Sequence, residues 1–319
     1  MPDDLRRDPV VAAVDIGGTR IKAALVDRGL QALVERTVPT PQLGGEQLLD
    51  AVDELVTGML DELGDRPDEG PDTGPPPGRT SRLTAAAVVL PGLVDTRAGV
   101  ARLSVNLGWR DLAVAEPLTR RWGVPVALGH DVRAGLLAEA RIGAARLARH
   151  VMFVPVGTGI AAALMVDGVV VDADGWAGEL GHCIVQQDGE PCACGQRGCL
   201  EAVASASALE RSYHRRSGIP RSAHEVAVLA AAGDPLAATV WAEVVAHLAR
   251  ALLTATTLTG IDLVVVGGGL AESGDQLLVP LQAHLDAART FQRPVRVVRA
   301  GLGDRAGCLG AACLAWQLG

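Results

Sequence analysis

Three times along the chain an apolar run ends in a tight cluster of glycines. Residues 10–16 lead into Gly17, Gly18 and Thr19, and an apolar run resumes at 21–26. Residues 151–155 and 160–166 flank Gly157, Thr158 and Gly159 in the same way, and 263–266 enter Gly267, Gly268 and Gly269. Short apolar runs bounded by glycine read as buried strands, and two joined by a glycine turn read as a hairpin. Further strands are expected at 85–90, ending in the Pro91-Gly92 turn, and at 124–128. Helical patterns lie between them. Over 47–63, Leu48, Val52, Leu55, Val56, Met59 and Leu63 mark one apolar face, and helices are also expected over 132–142, 203–213, 223–232, 235–259 and 307–318. Alternating strands and helices make the class α/β. The glycine hairpin occurs once in each half, which points to two related domains facing each other.

Glycine turns of this kind suit phosphates, because backbone N–H groups can converge on an anion where no side chain keeps it away. One such turn alone serves equally well as a plain structural hairpin. The chain has no G-x-x-x-x-G-K-[ST] loop and no strand-linked G-x-G-x-x-G. Asp15 closes the first strand beside its turn, where a carboxylate suits Mg²⁺ held through water next to a triphosphate, or stabilises the turn itself.

A length of 319 residues allows two domains or one large one, and 49% hydrophobic residues supply a substantial core. The formal charge of −8 argues against general affinity for nucleic acid or anionic membrane. The first nine residues contain no apolar signal segment, and no uninterrupted apolar stretch of about 20 residues indicates a transmembrane helix. Residues 64–82, rich in Pro, Gly, Asp and Arg, read as a mobile surface loop.

Six cysteines are present. Cys192, Cys194 and Cys199 fall close together on glycine-rich sequence shortly after His182. Four soft or borderline ligands are the number a closed tetrahedral Zn²⁺ site needs, and a filled shell makes the site structural, with no open position for water. Metal binding and the lack of a signal segment together favour a reducing, cytoplasmic setting. Cys183, Cys308 and Cys313 sit among apolar neighbours and are expected to pack as small hydrophobes.

These residues carry a resemblance. The order of the three glycine turns is that of the actin-like ATPase and sugar kinase superfamily. Asp15-Ile16-Gly17-Gly18-Thr19, Pro91-Gly92-Leu93-Val94-Asp95, Asn106-Leu107-Gly108-Trp109, His130-Asp131, Gly157-Thr158-Gly159, Gly178-Glu179-Leu180-Gly181-His182, the cysteine cluster through Glu201, and Gly267-Gly268-Gly269 together resemble the ROK family, particularly its bacterial glucokinase-like members. The match spans nearly the whole chain, and its glycine–histidine–cysteine stretch is the most specific part.

The resemblance implies a two-domain actin-like sugar kinase fold with an interdomain cleft. A small N-terminal α/β domain would span 1–123, completed by a C-terminal helix at 305–319, and a larger domain with the zinc site would span 124–304. It implies that Asp131 is the general base for a sugar hydroxyl attacking the γ-phosphoryl of ATP, a role carboxylates perform within hydrogen-bond reach. Asn106, His130, Asp131, Glu179, His182 and Glu201 would contact the sugar, and Asp15 with the three glycine turns would hold ATP and Mg²⁺. His182 would place one ring nitrogen on zinc and turn the other toward the sugar. The implied partners are sugar and ATP, with a homodimer or homotetramer, no nucleic acid and no membrane.

Two positions depart from the family pattern. Relatives usually carry Asn before the catalytic Asp, where this chain has His130, and Arg133 stands where Asn is common. Either points to a changed sugar preference more readily than to lost activity. Repressors of the same family carry a winged helix-turn-helix of several dozen residues before the first turn, and only nine residues precede the first strand here. The competing readings are kinases for fructose, mannose, N-acetylmannosamine or N-acetylglucosamine, and a non-catalytic sugar sensor.

Overall fold

The computed structural model describes residues 8–41, 44–65, 83–104 and 108–319. They fall into two compact units. The first takes the described residues up to Ala138 together with Ala173–Gly175 and Arg305–Gly319; the second takes Glu139–Asp172 and Trp176–Asp304. Most of the 64–82 segment, and Asn106, lie outside the described residues.

In the first unit the strands are β1 (Val10–Ile16), β2 (Arg20–Val26), β3 (Ala32–Pro39), β4 (Leu83–Leu90), β5 (Leu93–Asp95), β6 (Val100–Ser104), β7 (Trp109–Ala113) and β8 (Val126–His130). Five of them form one sheet in the order β3-β2-β1-β4-β8, antiparallel through β1 and parallel beyond it, while β5-β6-β7 form a small antiparallel sheet. The helices are α1 (Gly45–Asp65), α2 (Ala115–Trp122) and α3 (Asp131–Ile142). Successive strand side chains point to opposite faces. Val10, Ala12, Val14 and Ile16 therefore pack with Leu48, Val52, Val56 and Met59 of α1 and with Leu118 and Trp122 of α2. Each such large side chain contributes roughly 1.5–3 kcal/mol on burial. Because the sheet is covered on both faces, β1 reads as a continuous apolar run without alternation.

The second unit contains β9 (Val151–Pro155), β10 (Ala163–Val166), β11 (Val169–Val170), β12 (Leu263–Gly267) and β13 (Arg296–Arg299), in the order β11-β10-β9-β12-β13. Its pairings repeat those of the first sheet: two antiparallel, then two parallel. The helices are α4 (Leu200–Ala204), α5 (Ala206–Ser217), α6 (Ala223–Ala231), α7 (Pro235–Thr259) and α8 (Asp275–Ala288). Asp234 caps α7 by accepting the Ala237 N–H at 2.7 Å, Pro235 opens it, and Gly260 in the left-handed region ends it. By length and composition α7 could cross a membrane. Here it is the core helix of its unit, packed against α4, α5, α6 and α8.

The last helix, α9 (Ala306–Ala315), covers the second face of the first sheet. Ala311, Ala312 and Ala315 meet Val11, Ala13, Ala85 and Ala87, and small residues on both sides bring helix and sheet close. The end of α9 is fastened to the β2–β3 turn, where Trp316 Nε1 donates to the Asp27 carbonyl at 2.9 Å and Arg28 stacks over the ring at 4.7 Å.

Three expectations need correcting. A boundary at 123/124 would cut off β8, but that strand pairs with β4 and stays in the first unit. The helix expected over 203–213 is two helices: Ser205 leaves helical geometry to cap α5, accepting the Ala208 N–H at 3.1 Å. Cys183 is exposed, whereas Cys308 and Cys313 are buried as expected.

Candidate active site

Within the second unit two glycine turns lie side by side. Gly157 N–H donates to the Gly159 carbonyl at 2.9 Å, leaving Thr158 exposed at the tip. Val156, just before this turn, donates its N–H to the Gly267 carbonyl at 2.9 Å, and its carbonyl accepts the Leu270 N–H at 3.0 Å. Gly268 crosses Val156 with φ +77°, and a Cβ there would run into the Val156 backbone, so only glycine fits. The first turn, Gly17-Gly18-Thr19, belongs to the first unit. Gly17 N–H donates to the Arg20 carbonyl at 2.9 Å, and Thr40 Oγ1 donates to the Gly17 carbonyl at 2.7 Å. Asp15, opposite Lys22 in the β1–β2 pair, is half-buried and places its carboxylate in the space a side chain at Gly307 would take.

The segment Gly178-Glu179-Leu180-Gly181-His182 lies flat on the start of β10. Side chains at 178 or 181 would collide with the Ala162 and Ile160 carbonyls, which explains both glycines of the motif. The Ala162 N–H donates to the Gly178 carbonyl at 2.8 Å, and Leu180 is buried beneath a short 3-10 turn. This leaves Glu179 exposed and His182 half-buried beside the cysteines.

His182, Cys192, Cys194 and Cys199 offer ligand atoms that all lie within 4.8 Å of one another. Cys192 Sγ is 3.6 Å from His182 Nδ1, and Cys194 Sγ is 3.6 Å from Cys199 Sγ. A disulfide would need about 2.05 Å. Tetrahedral metal–sulfur bonds of about 2.3 Å give edges of about 3.8 Å. The spacing is that of a metal site. Backbone pairing of Ile184 with Cys199 and of Pro191 with Arg197 closes the ligand loop. Burial pushes the Cys199 thiol up to about 12, while the Gln196 backbone N–H holds the Cys194 thiol below its ordinary range. With Nδ1 turned to the cysteines, His182 presents Nε2 on the side of Glu179, 3.8 Å from its Oε2.

Cys199 directly precedes α4, whose first turn carries Glu201. Glu201 Oε2 accepts the Ile160 N–H at 2.9 Å, behind the 157–159 turn. The residue expected at the sugar thus also props the 157–159 glycine turn.

In the first unit, β8 delivers His130 and α3 begins at Asp131. Asp131 Oδ1 accepts the Val132 N–H at 2.7 Å. Arg133 is buried and donates from Nη1 to the Gly175 carbonyl at 3.3 Å, tying α3 to the 173–175 segment. Sequence reasoning missed Glu139, which is fully buried and accepts N–H groups from Ala144, Leu302 and Gly301 at 2.7, 2.8 and 3.1 Å. The signal was there: Val132, Leu136 and Glu139 recur at helical spacing on one buried face.

A sequence profile of the ROK family matches residues 76–318. The chain belongs to the ROK family. A glucokinase from Thermotoga maritima is 31% identical to it over 94% of this chain and 95% of its own length. Among solved structures of ROK proteins, a glucokinase from Streptomyces griseus in complex with glucose and AMPPNP is 28% identical, with a TM-score of 0.78 over 97% of this chain and 99% of that one. The ROK regulator NagC from Escherichia coli, a DNA-binding transcriptional dual regulator, is 28% identical over 92% of this chain and 72% of its own length.

Proposed function

We propose that this chain transfers the γ-phosphoryl group of ATP to a hexose, with glucose the first candidate. The observation that carries the reading is the end-to-end likeness to a glucokinase, 31% identical over 94% of the chain. The AMPPNP and glucose bound by the Streptomyces griseus relative support ATP and glucose as the substrates here.

On this reading Gly17, Gly18, Thr19, Gly157, Thr158, Gly159, Gly267, Gly268 and Gly269 hold the nucleotide through backbone N–H groups. Asp15 offers the carboxylate oxygens that Mg²⁺ prefers, and the ion would neutralise charge on the phosphates. Asn106, His130, Glu179, His182 and Glu201 bind the sugar. His182, Cys192, Cys194 and Cys199 hold a structural Zn²⁺, which would fix the His182 ring and the start of α4, and so Glu201. Asp131 takes the proton of the attacking hydroxyl. Its Oδ1 is committed to the Val132 N–H, so Oδ2 is the oxygen that accepts it. The hydroxyl oxygen bonds to the γ-phosphorus, the bond to the bridging oxygen breaks, and ADP leaves. A reducing cytoplasmic location and a homo-oligomer go with this assignment.

The likeness to NagC favours a second reading, a sugar-binding regulator without turnover. Incubation with Mg-ATP and a panel of glucose, mannose, fructose, N-acetylmannosamine and N-acetylglucosamine separates the two. Sugar-dependent ADP release supports the kinase and ranks its substrates. Sugar binding without ADP release supports the regulator.

A further inference from the structure

His130, the last residue of β8, stands directly before Asp131 with a side chain only 11% exposed. Its Nδ1 lies 3.2 Å from the Val132 nitrogen and 3.2 Å from Asp131 Oδ1. The Val132 N–H is therefore shared between Asp131 Oδ1 and the imidazole. An N–H aimed at Nδ1 needs a lone pair there, which the neutral ring with its proton on Nε2 supplies; the 3.2 Å from Nδ1 to Asp131 Oδ1 suits the ring protonated on Nδ1, so the same position serves both states. A second proton, on Nδ1, turns that acceptor into a donor. The ring then loses the Val132 N–H and becomes a cation facing Asp131 Oδ1.

We propose that His130 is a positioning residue that couples turnover to pH: neutral, it shares the Val132 amide and leaves Asp131 a competent base; protonated, it pairs with Asp131 and disarms it. The proposal rests on Asp131 being the base. A carboxylate paired with an adjacent cation holds a transferred proton less well, so proton acceptance from the sugar hydroxyl slows. Histidine is the side chain whose charge change falls between pH 5 and 8, whereas the Asn usual in relatives cannot titrate.

The surroundings supply other charges, and their pairings engage them elsewhere. Of the elements packed on β8, β4 carries no ionisable side chain and α9 carries only Cys308 and Cys313. On β5, Asp95 accepts the Ala98 N–H at 2.9 Å and pairs with Arg102 at 2.7 Å. On α2, Glu116 pairs with Arg120, and Arg121 pairs with Asp50 and Asp53. On α3, Arg133 reaches the Gly175 carbonyl. Asp131 Oδ1 lies 3.2 Å from the ring Nδ1.

The test is the pH profile of kcat/KM from pH 5.5 to 8.5 for the wild type, His130→Asn and Asp131→Asn, with sugar affinity measured separately by calorimetry. Wild-type kcat/KM should fall by about tenfold per pH unit below the imidazole titration. His130→Asn, at a residue also placed against the sugar, should give a profile that stays flat from pH 8 down to pH 6 whatever its level at pH 8. Identical profiles for wild type and His130→Asn overturn the proposal, as does a folded, sugar-binding His130→Asn that is inactive throughout. Turnover retained in Asp131→Asn is a separate result, and it removes the base assignment itself. Should His130→Asn fail to fold, nitrogen NMR of the wild-type imidazoles decides: Nδ1 unprotonated at pH 8 supports the proposal and Nδ1 protonated at pH 8 overturns it.

Discussion

Glu139 shows how one residue secures a junction. The chain leaves the first unit after Ala138, revisits it at Ala173–Gly175 and re-enters it for good at Arg305, and Glu139 bonds the backbone of Gly301 and Leu302 just ahead of that last return. A buried carboxylate that accepts three backbone N–H groups is stabilising only while all three are made. Glu139→Ala should cost about 2–3 kcal/mol in urea unfolding, and Glu139→Gln about half as much, because the amide oxygen still accepts. A loss below about 0.5 kcal/mol for the alanine variant would show that the clamp carries no weight. A glutamate among alanines is easily dismissed as a solvated helix residue, and only its place on the Val132–Leu136 face gave it away. Asp131 stood out in the sequence by family position alone, whereas the bond from the Val132 N–H to its Oδ1 could not be read there, because it depends on where that N–H points.

At the scale of elements, the cysteine loop and α4 form one device. Cys199 ends the cysteine loop and Glu201 sits in the next turn, so a metal held by the cysteines would fix both. Chelation, or Cys194→Ser, should lower the melting temperature by about 5 °C or more and weaken sugar binding, with zinc restoring the chelated protein. Unchanged melting and affinity after verified metal removal would contradict a structural role. The start of α6 makes a pH prediction. Glu225 completes a capping box with Ser222, and the Ser222 backbone N–H, then its hydroxyl and Arg221, hold the carboxyl at about 2 instead of 4.5. A depressed folded value means the cap stabilises α6 fully above about pH 4.5, and the contribution is lost as pH falls from there through about 2. Carboxyl-carbon NMR should place this titration well below the ordinary range, and Glu225→Gln should remove that part of the acid dependence of α6 amide exchange. Elements marked by glycine turns or strong periodicity were legible: β1, β9 and α7 fall where the sequence placed them. The weaker ones were not. β3 is a largely exposed edge strand without a clean apolar pattern, and α8 carries Pro280 inside it. The short α2 shows only two buried positions, Leu118 and Trp122.

At the scale of the whole molecule, two sheets share one strand pattern, and the recurring glycine hairpin had marked that duplication in the sequence. Each pattern begins with a hairpin closed by a glycine turn, and β12 of the second sheet leads into the third glycine turn. Neither sheet by itself says which sugar is used. On the proposed reading that choice falls to the side chains assigned to the sugar, of which Asn106 lies outside the described residues. ADP release with Mg-ATP, measured with and without glucose, asks whether this fold phosphorylates a hexose. Release should require the sugar, yield sugar 6-phosphate in equal amount, and fall by about 100-fold or more in Asp131→Asn while sugar binding persists. Glucose binding with no ADP release for any hexose in the panel would contradict hexose phosphorylation.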